Sequence, residues 1–397
     1  MRNKRVLSLT ALLLVCAMLF AGCTNRPRSS AAPAAEPSAT PEAEAFPSAE
    51  PEATASATPE ATATPEPTAT PEPTPEPTPE PVYTNPLTGE VVKEDFSSRR
   101  PVAVMVECNY LNGALITQHG IAQADIMYEM PIDIRMTRLV ALYSSDIPEW
   151  AGPVRSTRTM HVDLRQEWGG TLVHAGGQDE EGTSVYARFK QYGLKTADMR
   201  RINIIGMAPH SSDYGRNNND KKSPHNHGIK VRKLYEDLIG TDLAPAPRPY
   251  LFTDEKPSGG DEAGYVYLEY GSGFDTGYEY DAEANVYRRY YNKGRSRYYD
   301  LLDRRNTLGY NNLIVQWTPM TYYNGTTNRP VLEEVGEGNA DIFMGGRYIR
   351  GYWVRTGYDD RTIFFDSEGN EIRLQRGKTW ITVAGPDFLK VTYRDRK

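Results

Sequence analysis

Pro101-Val102-Ala103-Val104-Met105-Val106, Ala124-Asp125-Ile126-Met127-Tyr128-Glu129-Met130 and Thr137-Arg138-Leu139-Val140-Ala141-Leu142-Tyr143 are the runs on which the fold turns. Each is short and mostly apolar, which predicts buried strands. Runs at 171–175 and 202–205 repeat the texture. Helical spacing appears over 156–167, 180–192 and 229–239, and in the last of these Val231, Leu234, Tyr235 and Leu238 share one face. Alternation of the two patterns predicts that residues 82–245 form an α/β domain, a mixed sheet with flanking helices.

Toward the C-terminus, Pro245, Pro247 and Pro249 break the pattern and the texture changes. Eighteen of the 26 tyrosines lie from Tyr250 onward, between repeated strand-turn-strand signals. Gly345-Gly346 supplies residues tolerant of positive φ between two alternating runs, which predicts a hairpin. Residues 250–397 are therefore expected to be a second, mostly β domain. All six histidines fall between His119 and His227, so imidazole chemistry near neutral pH belongs to the first half.

In the other direction, residues 1–23 read as a secretory leader. Arg2, Lys4 and Arg5 form a basic start, and an apolar stretch over 9–20 is too short to span a bilayer comfortably. The leader ends Ala21-Gly22-Cys23, which resembles a bacterial lipobox and makes Cys23 the expected lipidation site. Two acyl chains on that cysteine would suffice for stable anchoring, so the expected address is the extracytoplasmic face of a cell membrane. Residues 24–81 carry fifteen of the 29 prolines and almost nothing to bury. They read as a disordered stalk of 58 residues, able to extend roughly 180 Å at about 3.1 Å per residue.

The net charge of −7 resides mostly in this stalk, which holds ten Glu and two Arg. Residues 82–397 carry 40 basic and 42 acidic side chains, which excludes nucleic-acid binding built on bulk basic charge. Three cysteines give neither a disulfide framework nor a zinc pattern. The sequence also lacks GxGxxG after a strand, a phosphate loop, HExxH and GxSxG, so no cofactor or metal is expected.

What remains are short polar clusters at the ends of predicted strands, where α/β folds place ligands. Gly152-Pro153-Val154-Arg155-Ser156-Thr157-Arg158 opens a predicted helix with Ser156 or Thr157 as N-cap. Its two guanidiniums either clamp a carboxylate or phosphate, or brace Asp163 or Glu129. His174 precedes Ala175-Gly176-Gly177 at a strand end, a place for a general acid or base or for a hydrogen-bonded histidine. Ser223-Pro224-His225-Asn226-His227-Gly228 offers two histidines on one side of an extended segment, for metal ligation or for loop hydrogen bonds. Cys108 is either a nucleophile beside one of these histidines or a packed thiol.

These clusters, in this order behind a lipobox and stalk, resemble the YerB-like lipoproteins, a bacterial family of unknown function with N- and C-terminal parts. The resemblance rests on Asn85-Pro86-Leu87-Thr88-Gly89, the three strand runs, Gly152 to Arg158, His174-Ala175-Gly176-Gly177, Pro224-His225-Asn226 and, later, Gly351-Tyr352-Trp353 and Gly377-Lys378-Thr379-Trp380. This chain departs from the family pattern at Asp133-Ile134-Arg135, Ile116-Thr117-Gln118 and His227-Gly228. Two functional classes follow. In one, Arg138, Arg155, Arg158 and Asn226 bind an anionic wall glycan, peptide or envelope protein without catalysis. In the other, the same arginines hold an anionic wall polymer while Glu129, His174 and His225 exchange protons in a hydrolase or transferase.

Overall fold

The structure is a computed structural model that describes residues 81–395 apart from 109, 112–113, 116–117, 135, 206–213, 218–224, 241–247, 271–274, 292–295 and 327–328. The expected leader, the expected lipidation site Cys23 and the expected stalk up to residue 80 lie outside the described residues.

From the first half come β1 (Val102–Cys108), β2 (Ile126–Asp133), β3 (Met136–Tyr143), α1 (Thr159–Trp168), β4 (Thr171–His174), α2 (Val185–Gln191) and β5 (Arg201–Asn203). The second half adds β6 (Tyr265–Glu269), β7 (Thr276–Asp281), β8 (Val286–Tyr291), β9 (Asn312–Trp317), β10 (Gly336–Met344), β11 (Arg347–Arg355), β12 (Thr379–Ala384) and β13 (Lys390–Arg394). The central sheet runs β11-β10-β9-β12-β2-β3-β1-β4-β5, with short strands added beside β11. It is mixed: β9, β12 and β2 are parallel neighbours, as are β1, β4 and β5, while β2, β3 and β1 are antiparallel. A smaller sheet contains β8-β7-β6-β13.

Both faces of the central sheet are covered, which is why β1 is buried at all seven positions and its sequence reads as an apolar run. On one face Met105, Val140, Ile314 and Ile381 meet Leu164 and Trp168 of α1 and Phe189 of α2. On the other, Val104, Leu139 and Met127 meet Val266, Tyr278 and Tyr287 of the smaller sheet, together with Val231 and Leu234. Burying each such large side chain stabilises the fold by about 1.5–3 kcal/mol.

The expectation of an α/β half followed by a separate β half holds only in part, because the described part of the chain is mostly β. Its longer helical segments, among the described residues, are α1, α2 and the short Val231–Leu234 helix that continues as a π turn over Tyr235–Ile239. The two halves also share the sheet, since β12 pairs with β2 from Thr379↔Ile126 to Thr382↔Glu129. Periodicity marks a strand but carries no record of its partner, so this seam was invisible in the sequence. The expected hairpin at 343–348 is formed by β10 and β11, with Gly345 at φ 59° and Gly346 at φ 77°.

Helix α1 starts later than its spacing suggests, and neither Ser156 nor Thr157 caps it. The chain over 151–157 is extended, with Arg155 N donating to the Met105 carbonyl at 3.0 Å and Thr157 N to the Gly176 carbonyl at 3.0 Å. The N-cap position passes to Arg158, whose N–H is accepted by His161 Nδ1 at 2.9 Å.

Candidate functional site

The extended segment 151–157 is stitched to two partners. Toward β1, Glu107 N donates to the Pro153 carbonyl at 2.9 Å. Toward the strand His227–Ile229, Val154 N donates to the His227 carbonyl at 2.6 Å, and Ala151 exchanges both backbone bonds with Ile229. Gly152 makes this approach possible, because a Cβ there would lie 3.0 Å from both Gly228 Cα and the His227 carbonyl oxygen. The stitching carries His225 to the end of β1.

At that point stands Glu107, a carboxylate with no exposed surface. Arg155 Nε lies 3.1 Å from its Oε1, and His225 Nδ1 lies 2.9 Å from both of its oxygens. Gln118 Nε2 donates to the Glu107 backbone carbonyl at 2.7 Å. Arg138 is paired with Glu107 in the register of β1 and β3, and its Nη1 donates to the Ser156 carbonyl at 2.7 Å. Strand alternation sets both residues on the sheet face that carries α1.

Positive charge exceeds negative charge here. Burial pushes the Arg138 guanidinium down to about 9, with Arg158 and Arg155 adding to the effect and Glu107 offsetting part of it. Arg158 is lowered by burial and partly restored by Asp133. His161 is held well below the usual imidazole range by burial, then by Arg138 and Arg158, so it stays neutral. Polar atoms without a partner among the described residues cluster in the same region: Arg138 Nε, Arg158 Nε, His161 Nε2, Gln118 Oε1 and Asn226 Oδ1. The amino end of α1 adds its own positive partial charge.

The Bacillus subtilis (strain 168) protein named "Putative lipoprotein YerB" is 29% identical to this chain over 314 residues, which is 76% of this chain and 86% of that protein. A crystal structure of YerB from Bacillus subtilis has the same fold, with a TM-score of 0.63 at 23% identity over 78% of this chain and 99% of that one. The N-terminal domain model of the family described as "Protein of unknown function (DUF3048)" matches residues 87–243, and the C-terminal domain model of that family matches 266–381. The chain is a member of the DUF3048 family.

Within this DUF3048 chain the residues singled out in the sequence separate into three places. Arg138, Arg155, Arg158, His225 and Asn226 fall in or beside the Glu107 cluster. His174 lies apart, fully buried, with Nδ1 2.8 Å from the Gly176 carbonyl and its ring stacked on Phe189 at 5.6 Å. Burial pushes it down to about 4. Glu129 is on the opposite face of the sheet, accepting from Thr137 Oγ1 at 2.7 Å and from Arg289 Nη2 at 3.5 Å. Cys108 shares that face, 3.9 Å from Glu129 Oε1, and burial followed by the Glu129 charge pushes its thiol up to about 12. It is a packed thiol with a carboxylate, not an imidazole, beside it.

The bracing alternative also changes partner. Asp163 is bound by Tyr192 and Arg188, and Glu129 by Arg289, so the carboxylate that meets Arg155 is Glu107. Glu107, Gln118 and His161 were missed in the sequence. Glu107 carried a signal nonetheless: a carboxylate inside an apolar strand run is costly to bury alone and announces a cationic partner.

Proposed function

We propose that this DUF3048 protein is a lipid-anchored protein of the extracytoplasmic membrane face that captures an anionic group of a wall glycan, peptide or envelope protein. Arg138, Arg155 and Arg158 do the holding. The observation that carries the reading is the excess of cationic charge: three guanidiniums and the start of α1 converge where one buried carboxylate, Glu107, already serves Arg155 and His225. Burial is the main cause that lowers Arg138, and an oxyanion seated among these groups offsets both it and the added repulsion from Arg158 and Arg155.

The test uses Arg155→Lys and Arg158→Lys, which keep the charge and remove the planar fork. Affinity for purified wall fragments should fall by roughly 1.5–3 kcal/mol in each, with circular dichroism unchanged. Intact affinity with lowered thermal stability would instead make both residues structural braces. Anchoring is tested separately: Cys23→Ala should abolish metabolic lipid labelling, and wild-type protein should partition into the detergent phase.

One observation favours a hydrolase or transferase acting on the same polymer. Glu107 accepts at His225 Nδ1 and turns Nε2 away from itself, which is the geometry by which a carboxylate orients a general base. Release of fragments from labelled wall polymer, lost in His225→Gln while fragment binding persists, would establish this reading over simple capture.

A further inference from the structure

We propose that the arginine-lined cleft at the carboxyl end of α1 is a second oxyanion-binding site, distinct from the Glu107 cluster at the helix's amino end. The cleft has a volume of about 640 Å³, and Arg100, Arg165, Arg200, Arg248 and Arg361 all line it. A volume in the ordinary range of small-molecule clefts exceeds what a bare ion needs. The ligand is therefore a phosphate ester or carboxylate carried on a larger body.

The carboxylates around the cleft are mostly engaged. Glu167 is held by Arg355 Nη1 at 3.3 Å, by Arg361 Nε at 3.4 Å and by Thr362 N at 2.9 Å. Arg248 pairs with Glu371 at 2.6 Å, and Arg200 forks onto Asp198 at 2.8 and 2.6 Å. Asp359 and Asp360 also line the cleft, where they reduce its positive charge and accept from Gln166 and Thr356 respectively.

Two arginines retain unmet capacity. Arg165, only 3% exposed, hydrogen-bonds to neutral groups, the Gly170 carbonyl at 2.6 Å and Gln166 Oε1 at 2.5 Å. Burial pushes it down to about 10, with Arg200 and Arg100 lowering it further and Asp198 and Asp359 offsetting part of the effect. Arg361, 7% exposed, leaves Nη2 without a partner among the described residues. Its guanidinium is clamped 3.3 Å over the Trp168 ring and 4.5 Å from that of Tyr250, so the donor is fixed in place. Buried guanidiniums of this kind, Arg165 bonded to neutral groups and Arg361 with a fixed donor beyond its pairing with Glu167, are what a planar or tetrahedral oxyanion recognises.

The experiment titrates the full chain in detergent with inorganic phosphate and, separately, with acetate at constant ionic strength, read by calorimetry against a chloride control. Binding of phosphate alone identifies a phosphate-ester source, and of acetate alone a carboxylate source. Arg165→Gln and Arg200→Gln should each weaken binding about tenfold, while Arg155→Lys leaves this site's affinity unchanged. Should Arg165→Gln not fold, Arg200→Gln decides, since that side chain is 38% exposed. Failure of both anions to bind overturns the proposal, as does wild-type affinity in Arg200→Gln. Affinity lost in Arg155→Lys and kept in Arg200→Gln would place the anion at the Glu107 cluster, ending this proposal and leaving the first intact.

Discussion

His225 Nδ1 lies 2.9 Å from both carboxylate oxygens of Glu107, across 118 residues of sequence. Arg155 approaches the same carboxylate at 3.1 Å, so one fully buried charge organises two chain segments. Removing it takes away the carboxylate that meets Arg155 and His225. Glu107→Gln should therefore cost about 3 kcal/mol of stability, while affinity for phosphate at the cluster rises. Chemical denaturation and calorimetry on the folded variant measure the two quantities, and an unchanged stability would show that the pairing contributes nothing net.

His174 supplies a pH dependence. Its folded value is pushed down to about 4 from an ordinary 6.5, so protonation favours the unfolded chain. The associated stability is full above pH 6.5 and is lost as pH falls toward 4, a change of roughly 3 kcal/mol at most. In His174→Asn, which retains a donor for the Gly176 carbonyl, denaturation midpoints between pH 7 and 4 should fall less steeply than in wild type. An identical acid limb would rule His174 out as its source.

Cys108 should be inert. With its thiol pushed up to about 12, the thiolate population at pH 8 is negligible, and the side chain is buried as well. Alkylation mapped by mass spectrometry should leave Cys108 unmodified in native protein and modify it after denaturation. Rapid native labelling would reopen its role as a nucleophile.

Arg289 and Glu129 join the two halves of the chain through the core. Arg289 is 2% exposed, its guanidinium 3.9 Å over Tyr298 and 4.3 Å over Trp380, and it reaches Glu129 at 3.5 Å. Arg289→Met should cost about 3–5 kcal/mol because Glu129 is left buried and unpaired. Adding Glu129→Gln should recover part of that loss. A purely additive double variant would mean that the two charges do not interact.

The sequence made the strands legible because each was a short apolar run ended by turn chemistry. Residues 102–108, 136–143 and 171–174 lie close to where those runs placed them. It misplaced the start of α1 because 151–157 is held extended by hydrogen bonds to β1 and to Gly176, partners that no local pattern encodes. The candidate site was half legible for a similar reason. Arg155, Arg158 and His225 stand in polar clusters visible along the chain, whereas Glu107 hides in an apolar strand and Arg289 in a tyrosine-rich alternation. Side-chain chemistry shows in one dimension, but the pairing of charges across a sheet depends on register.

The pairing of β12 with β2 has a consequence for the order in which the molecule comes together. Ile126 meets Thr379, about 250 residues downstream, so the central sheet closes through one of the longest loops in the chain. Until residues 379–384 are available, β2 has a bare edge on the side where β12 belongs, and the face that Tyr278 and Trp380 jointly cover is incomplete. A chain emerging from its amino end therefore remains without its finished core for most of its length. Delayed closure of this kind makes the interval before residues 379–384 join the sheet the time of greatest exposure to aggregation and proteolysis.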